Sequence, residues 1–274
     1  MTETTIDSIL HQAVIAHKEG KLEEAERCYR AILQSEPNHP DANHNLGILL
    51  TSTGKTDIAL PFYRIALEEN PKIEQFRLSY IGALLTENEL GLSRVILKKG
   101  IEIGLSVETL KILGSFFGEK GMNAESLKLS EVAVQLTSKD YESHNNLGAS
   151  LKNCKRFMEA IASFRLAIAL KPDFVEAHYN LGCTLHALGK MEEAESSLKR
   201  SIAIDANFVA AHNNLGVLYQ ELGRLKEAES ILAQAIALRG DYADPYNNLG
   251  LVLYKQGRLQ EAEAFYRQSI SIKH

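Results

Sequence analysis

The chain has 274 residues, 45% of them hydrophobic, which is enough apolar material for a large core or two modest domains. Its 30 basic residues stand against 35 acidic ones, a net charge of −5 with no basic stripe, which argues against sequence-independent binding to nucleic acid. Three scattered cysteines (Cys28, Cys154, Cys183) make no disulfide framework, the start carries acidic residues and no apolar leader, and no apolar run approaches bilayer length. A soluble, cytoplasmic protein is expected.

In chain order the sequence reads as one unit repeated. A first unit at about 6–39 is two helices around the turn GKLEEAE (20–26). A second, at about 40–73, holds NHNLG (43–47) in its first helix. Two degenerate units follow, at about 75–106 and 107–140. The earlier runs short, with 32 residues from Gly82 to Gly114, and sets Arg94 and Lys98 where Ala and an aromatic or Leu are expected. The later sets Ser126 and Ser130 at those places. An irregular packing angle, a soft joint, or drift without consequence would each fit that stretch. Four regular units, at about 141–174, 175–208, 209–242 and 243–274, carry HNNLG, HYNLG, HNNLG and YNNLG, with Gly148, Gly182, Gly216 and Gly250 each 34 residues apart.

One unit shows why each should fold as helix, turn, helix. In 174–204, Ala177, Leu181, Leu185 and Leu188 recur at helical spacing, and Gly189 supplies a left-handed C-terminal residue. Glu192 and Glu193 then favour a helix N-terminus, and Ala194, Leu198 and Ile202 form the next apolar stripe. Pro37, Pro71 and Pro172 end second helices, with Asp41 or Asp173 behind them able to cap the next helix. Small residues recur where helices must approach closely: Gly47, Gly148 and Gly182 in first helices, Ala25, Ala59, Ala160, Ala194, Ala228 and Ala262 in second ones. A hairpin of this size cannot bury its own apolar faces, so it must stack on its neighbours.

The 34-residue period, the NLG, the glycine turn, the EA start of second helices and the trailing proline resemble tetratricopeptide repeats over roughly the whole chain. That resemblance implies an all-α solenoid, a right-handed superhelix of about eight helix-turn-helix repeats. It also implies a non-enzymatic interaction scaffold whose first helices line a concave groove. Asn45, Asn146, Asn180, Asn214 and Asn248 share one place in the first helix and would face that groove, with Asn145, Asn213 and Asn247 widening the strip. An amide offers donor and acceptor side by side, as a peptide unit does, so the row could grip an extended chain with little regard to its side chains. The row is similar to the asparagine ladder of O-linked N-acetylglucosamine transferases. It lapses at His11, Tyr80 and Ile112. The alternative is structural, with each Asn satisfying a group at the junction between units. The same mapping places Glu142, Lys152, Tyr179, Cys183, His186, Gln220, Glu221, Asp244, Tyr254 and Lys255 on the groove. Members that seize acidic chaperone C-termini need clustered basic residues, and here those places hold Asn145, Tyr179, Asn213 and Asn247.

Other signals are weaker. STGKT (52–56) lacks the glycine that a phosphate-binding loop needs at 49, where Leu49 stands. His144, His178 and His212 recur with the period and are read as packing, as is Tyr246. Cys183 and His186 share a helix face, but two ligands make no zinc site. No catalytic constellation stands out from the repeat, and neither cofactor nor metal is expected. The expected partner is a protein or extended peptide. The competing reading is the substrate-recruiting arm of a larger transferase, since similar bacterial arrays precede glycosyltransferase, sulfotransferase or methyltransferase domains. At the end, Phe265, Tyr266, Ile270 and Ile272 have no following unit to cover them, which suggests self-association, a downstream domain, or a tolerated patch.

Overall fold

Sixteen α-helices and no strand make up the described part of the computed structural model, which is the backbone of residues 3–273 and the side chains of 5–272. They run in pairs: α1 (Glu3–Lys18) with α2 (Leu22–Ser35), α3 (Pro40–Ser52) with α4 (Thr56–Glu69), α5 (Glu74–Thr86) with α6 (Leu90–Ile103), and α7 (Val107–Glu119) followed by α8 (Asn123–Leu136). Then come α9 (Tyr141–Asn153) with α10 (Phe157–Leu170), α11 (Val175–Ala187) with α12 (Met191–Ile204), α13 (Val209–Glu221) with α14 (Leu225–Leu238), and α15 (Ala243–Lys255) with α16 (Leu259–Lys273). The chain is an all-α solenoid. Among the described residues no helix is long and apolar enough to cross a membrane.

The contacts divide into two compact units, Met1–Leu129 and Ser130–His274. In the first, α1, α3 and α5 touch in sequence, and each packs on the second helix of its own pair and on that of the pair before it where one exists. In the second, α9, α11, α13 and α15 form the equivalent row, backed by α10, α12, α14 and α16. A row of first helices on a row of second helices is therefore the local plan in each unit.

Five of the pairs close on a contact with no room for a methyl group. A Cβ on Gly47 would lie 2.7 Å from the Tyr63 ring, on Gly148 2.6 Å from Phe164, on Gly182 2.8 Å from Leu198, on Gly216 2.5 Å from Leu232, and on Gly250 2.8 Å from Tyr266. The small residues of the second helices, Ala25, Ala59, Ala160, Ala194 and Ala228, are wholly buried.

The turn inside each pair puts one residue in the left-handed region. Gly20, Gly54, Gly121, Gly189, Gly223 and Gly257 do so at φ between 71° and 80°, and Asn88 and Lys155 do so at 61° without being glycine. The turn geometry thus persists where the glycine is lost.

The third pair corrects the register read from sequence. Ser93 and Leu97, both buried, hold the places assigned to Arg94 and Lys98. Wholly buried Ile81, rather than Gly82, stands where α3, α9, α11, α13 and α15 carry their close-approach glycine, and a Cβ on Gly82 would meet Phe116 at an ordinary 3.5 Å. The reason is where the chain is short. Four residues join the other described second helices to the next first helix, but only Gly104, Leu105 and Ser106 join α6 to α7. Gly104 adopts φ 93° in that shortened link, and Leu105 is buried. In the fourth pair Ser126 and Ser130 are buried at the places read for them.

The helix caps also differ from expectation. Asp41 lies inside the first turn of α3, whose N-cap is His39 accepting from the Ala42 N–H at 3.3 Å. Asp173 precedes Phe174, the N-cap of α11, and Phe174 makes no side-chain cap bond. Asp140 and Ser106 do cap, accepting from Ser143 and Thr109. Pro40, with its φ preset for the first helical position, starts α3 at N1, so the cap falls on His39 before it and Asp41 lies within the first turn. At the far end Ile270 is exposed, while Phe265, Tyr266 and Ile272 are half-buried.

Lys155→Gly relieves a left-handed non-glycine residue, and we expect it to stabilise the fold by about 0.5–1 kcal/mol. Gly182→Ala, which drives a methyl into Leu198, is expected to destabilise by about 1–3 kcal/mol. Urea unfolding of both variants checks the opposite signs.

Candidate functional site

The first helices α9, α11, α13 and α15 set one place, five residues after the helix start, side by side: Asn146, Asn180, Asn214 and Asn248, all half-buried. The residue just before it, Asn145, Tyr179, Asn213 or Asn247, ranges from buried for Asn145 and Asn213 to exposed for Asn247. These two places are hydrogen-bonded from one repeat to the next. Asn180 Nδ2 donates to Asn145 Oδ1 at 3.1 Å, Asn214 Nδ2 to the Tyr179 hydroxyl at 3.1 Å, and Asn248 Nδ2 to Asn213 Oδ1 at 2.8 Å. Each rung joins residues 35 apart, one place past the repeat period. The offset follows from the stagger of neighbouring first helices.

The rungs connect through the middle of the row. Asn213 Nδ2 donates to Asn214 Oδ1 at 3.2 Å, and Asn214 Nδ2 also reaches Cys183 Sγ at 3.1 Å. Both partners sit in a desolvated pocket, and burial pushes the Tyr179 hydroxyl and the Cys183 thiol above their usual pKa ranges. Burial thus favours the neutral, hydrogen-bonding form of the Cys183 thiol. Lower on the row, His186 Nε2 meets Glu221 Oε2 at 2.8 Å, again 35 residues apart.

In the first unit the same rung is made by different residues, His44 Nε2 with Ser79 Oγ at 3.0 Å. Ser79 thus takes the place assigned from sequence to Tyr80, which is buried instead. Asn45 and Ile112 are half-buried and His11 is exposed. Of the other positions mapped to the groove, Gln220 is buried, against expectation, while Asp244, Tyr254 and Lys255 are exposed.

The residue that opens each motif does a separate job, which the spacing to the preceding proline could have signalled. Asn43 donates to Pro37 O, Arg77 to Pro71 O, His144 to Ser138 O, His178 to Pro172 O, and Tyr246 to Gly240 O, in every case the carbonyl six residues back. His212 reaches Phe208 O instead. Four kinds of side chain tie down one carbonyl at the link between pairs. All three periodic histidines are buried, His144 and His178 in this role, and among the described residues no group of three or more His, Cys, Asp or Glu is placed to hold a metal ion.

On the second helices, an ion-pair clasp repeats. Arg224, just before α14, bonds Glu227 in its own helix and Glu195 of α12 at 2.6 Å, with its guanidinium 4.1 Å from the Tyr219 ring centre. Arg258 does the same with Glu261 and Glu229, each at 2.6 Å. The Arg224 hydrogen bond, reinforced by Lys199, holds the Glu195 carboxyl down to about 2.

Fold and surface define a helical-repeat scaffold. Tetratricopeptide-repeat family models match residues 12–89, 154–189, 183–223 and 208–273. The chain belongs to the tetratricopeptide-repeat family. No curated protein matches it. Among solved structures, a tetratricopeptide repeat protein from Parabacteroides merdae is similar over 99% of this chain and 94% of its own, at 16% identity and TM-score 0.65. MamA is similar over 58% of this chain and 94% of its own, at 21% identity and TM-score 0.52. At these identities the likeness is one of fold.

Two outcomes are expected. In a double-mutant cycle of Asn213→Ala and Asn248→Ala, urea unfolding should give a coupling of about 1 kcal/mol, the worth of one rung. For the clasp, a carboxylate whose folded pKa is depressed adds stability that is full above its unfolded pKa and is lost as pH falls through the folded one. Glu195→Gln should therefore lower stability near neutrality and flatten the loss that the parent shows between about pH 4.5 and pH 2, read by acid titration of thermal unfolding.

Proposed function

We propose that this interaction scaffold holds an extended protein segment along α9, α11, α13 and α15, through the amides of Asn146, Asn180 and Asn248, with Asn214 positioning the row. One observation carries the reading: four half-buried amides occupy one register of four neighbouring first helices. A rung uses one N–H of Asn180 and one of Asn248, and the carbonyl oxygen of each stays available to a peptide N–H. The rungs thereby hold the amides in a fixed orientation, which lowers the ordering cost of binding. Asn214 is the exception, since its N–H groups serve Tyr179 and Cys183 and its oxygen accepts from Asn213. Its part is to position the others.

The spacing makes a distinctive demand. Packed helices lie about 8–10 Å apart and an extended peptide advances about 3.3 Å per residue, so one rung meets roughly every third residue. Recognition is then by backbone, tolerant of side chains. The exposed Asn247 and Tyr254 extend the same face at α15. The second reading, an arm that recruits substrates for a transferase, rests on the likeness to the asparagine ladder. Sequencing the flanking gene tests it.

A peptide captured by the chain from a random display library provides the test. N-methylation of every third backbone amide, in the correct one of three frames, should weaken binding at least tenfold by fluorescence anisotropy. Alanine substitution of its side chains should change binding little. The reverse pattern sinks the amide reading.

A further inference from the structure

The third repeat departs from the others at three places that meet in one groove between α4, α5 and α6. Arg77 stands where other first helices tie down the link carbonyl with Asn43, His144, His178 or Tyr246. Opposite it, Gly100 holds a place taken by Ala66 in α4 and Ala167 in α10. A Cβ on Gly100 would lie 2.6 Å from Arg77 Cδ, so the glycine makes room for the longer side chain. Leu92 stands where most other second helices carry Glu, as at Glu193, Glu227 and Glu261, with Ile58 the apolar counterpart in α4. It is 41% exposed, and beside it Val95 and Ile103 are 50% and 52% exposed.

These residues line a groove of about 470 Å³ with Leu67, Tyr80, Arg64 and Lys99. Such a volume, with apolar walls and few polar groups, is typical of a site for a small ligand. Its charge is unbalanced. Arg64, Arg77 and Lys99 face it, against one acid, Glu68. Arg77 is 2% exposed, and its Nε has no hydrogen-bond partner among the described residues. The nearby Glu74 carboxylate accepts from the Ser106 N–H at 2.8 Å, the Ser106 hydroxyl at 2.6 Å and the Thr109 hydroxyl, which fixes it at the α6–α7 link. Glu74 is close enough to act on the Arg77 charge, but its hydrogen bonds are spent on Ser106 and Thr109, so the buried Nε keeps an unfilled place for an anion.

The walls say what the anion is attached to. Leu67, Leu92, Val95 and Ile103 offer no hydrogen-bonding groups, and the Pro71 carbonyl is already taken by Arg77 Nη2 at 2.6 Å. A peptide laid here would lose water from its amides without replacement, whereas an alkyl chain loses nothing. We propose that this groove binds a medium-chain alkyl carboxylate, its head held by Arg77 with Arg64 and Lys99 at the rim, its chain along Leu67, Leu92, Val95 and Ile103. The site is distinct from the asparagine row and independent of its function.

Calorimetric titration of the full chain with decanoate, below its micellar concentration, tests this. Because Arg77 is buried, the decisive variants are at exposed positions: the double variant Arg64→Gln/Lys99→Gln, and Val95→Asp, each checked for native helicity by circular dichroism. We expect one site per chain, binding at least tenfold weaker in each variant, and decanol at least tenfold weaker than decanoate on the parent. Absent binding, binding unchanged in both variants, or equal affinity for decanol overturns the proposal. So does tighter binding of a peptide with an aliphatic residue at its free C-terminus, lost in the same variants, which would assign the groove to a protein tail.

Discussion

Everything in this fold depends on how closely two helices of a pair can approach. A glycine in the first helix receives a ring or a leucine from the second, with Cβ distances of 2.5–2.8 Å that no larger residue could accept. That contact sets the hairpin, and the hairpin sets the face each pair offers its neighbour. Stability is then a sum of pair terms and neighbour terms, with no central core to rescue a poor one. Ile81 in the third pair shows the limit of the rule, since its place is filled by an apolar side chain and remains fully buried.

Between neighbouring first helices, the hydrogen bonds spaced by 35 residues give the asparagines a structural role before any ligand arrives. Their amides bond to the preceding repeat through Asn145, Tyr179 and Asn213. A half-buried polar row without such partners would be loosely oriented and unfavourable. With them it becomes a rigid set of groups whose unused oxygens can meet another backbone. The structural role of the row is therefore compatible with the binding role proposed for it, because the rungs leave the oxygens of Asn180 and Asn248 unused.

The repeat itself was legible because its chemistry is local: glycine or a substitute at a left-handed turn, small residues at the crossings, and apolar residues at helical spacing. The same locality misled at the third pair. Matching Gly82 to the glycine series forced a slip of one residue, which then mislabelled Arg94, Lys98 and Tyr80. One missing residue in the link Gly104–Ser106 accounts for the whole discrepancy, and a one-dimensional count cannot tell a short link from a short helix. The cap assignments failed for a related reason. Asp41 and Asp173 are sound capping residues, but Pro40 and the link geometry decide where each helix begins.

Sequence alone determined the class of fold, the helix-turn-helix plan of about eight repeats, and the apolar stripes of the helices, because period and composition encode them directly. Only tertiary structure decided what the polar residues do. A bond between residues 35 apart exists because two helices lie side by side with a particular stagger, and no residue carries that stagger in its identity. The groove around Arg77 is of the same kind. Arginine, glycine and leucine at positions 77, 100 and 92 look like unrelated departures until α5 and α6 bring them together.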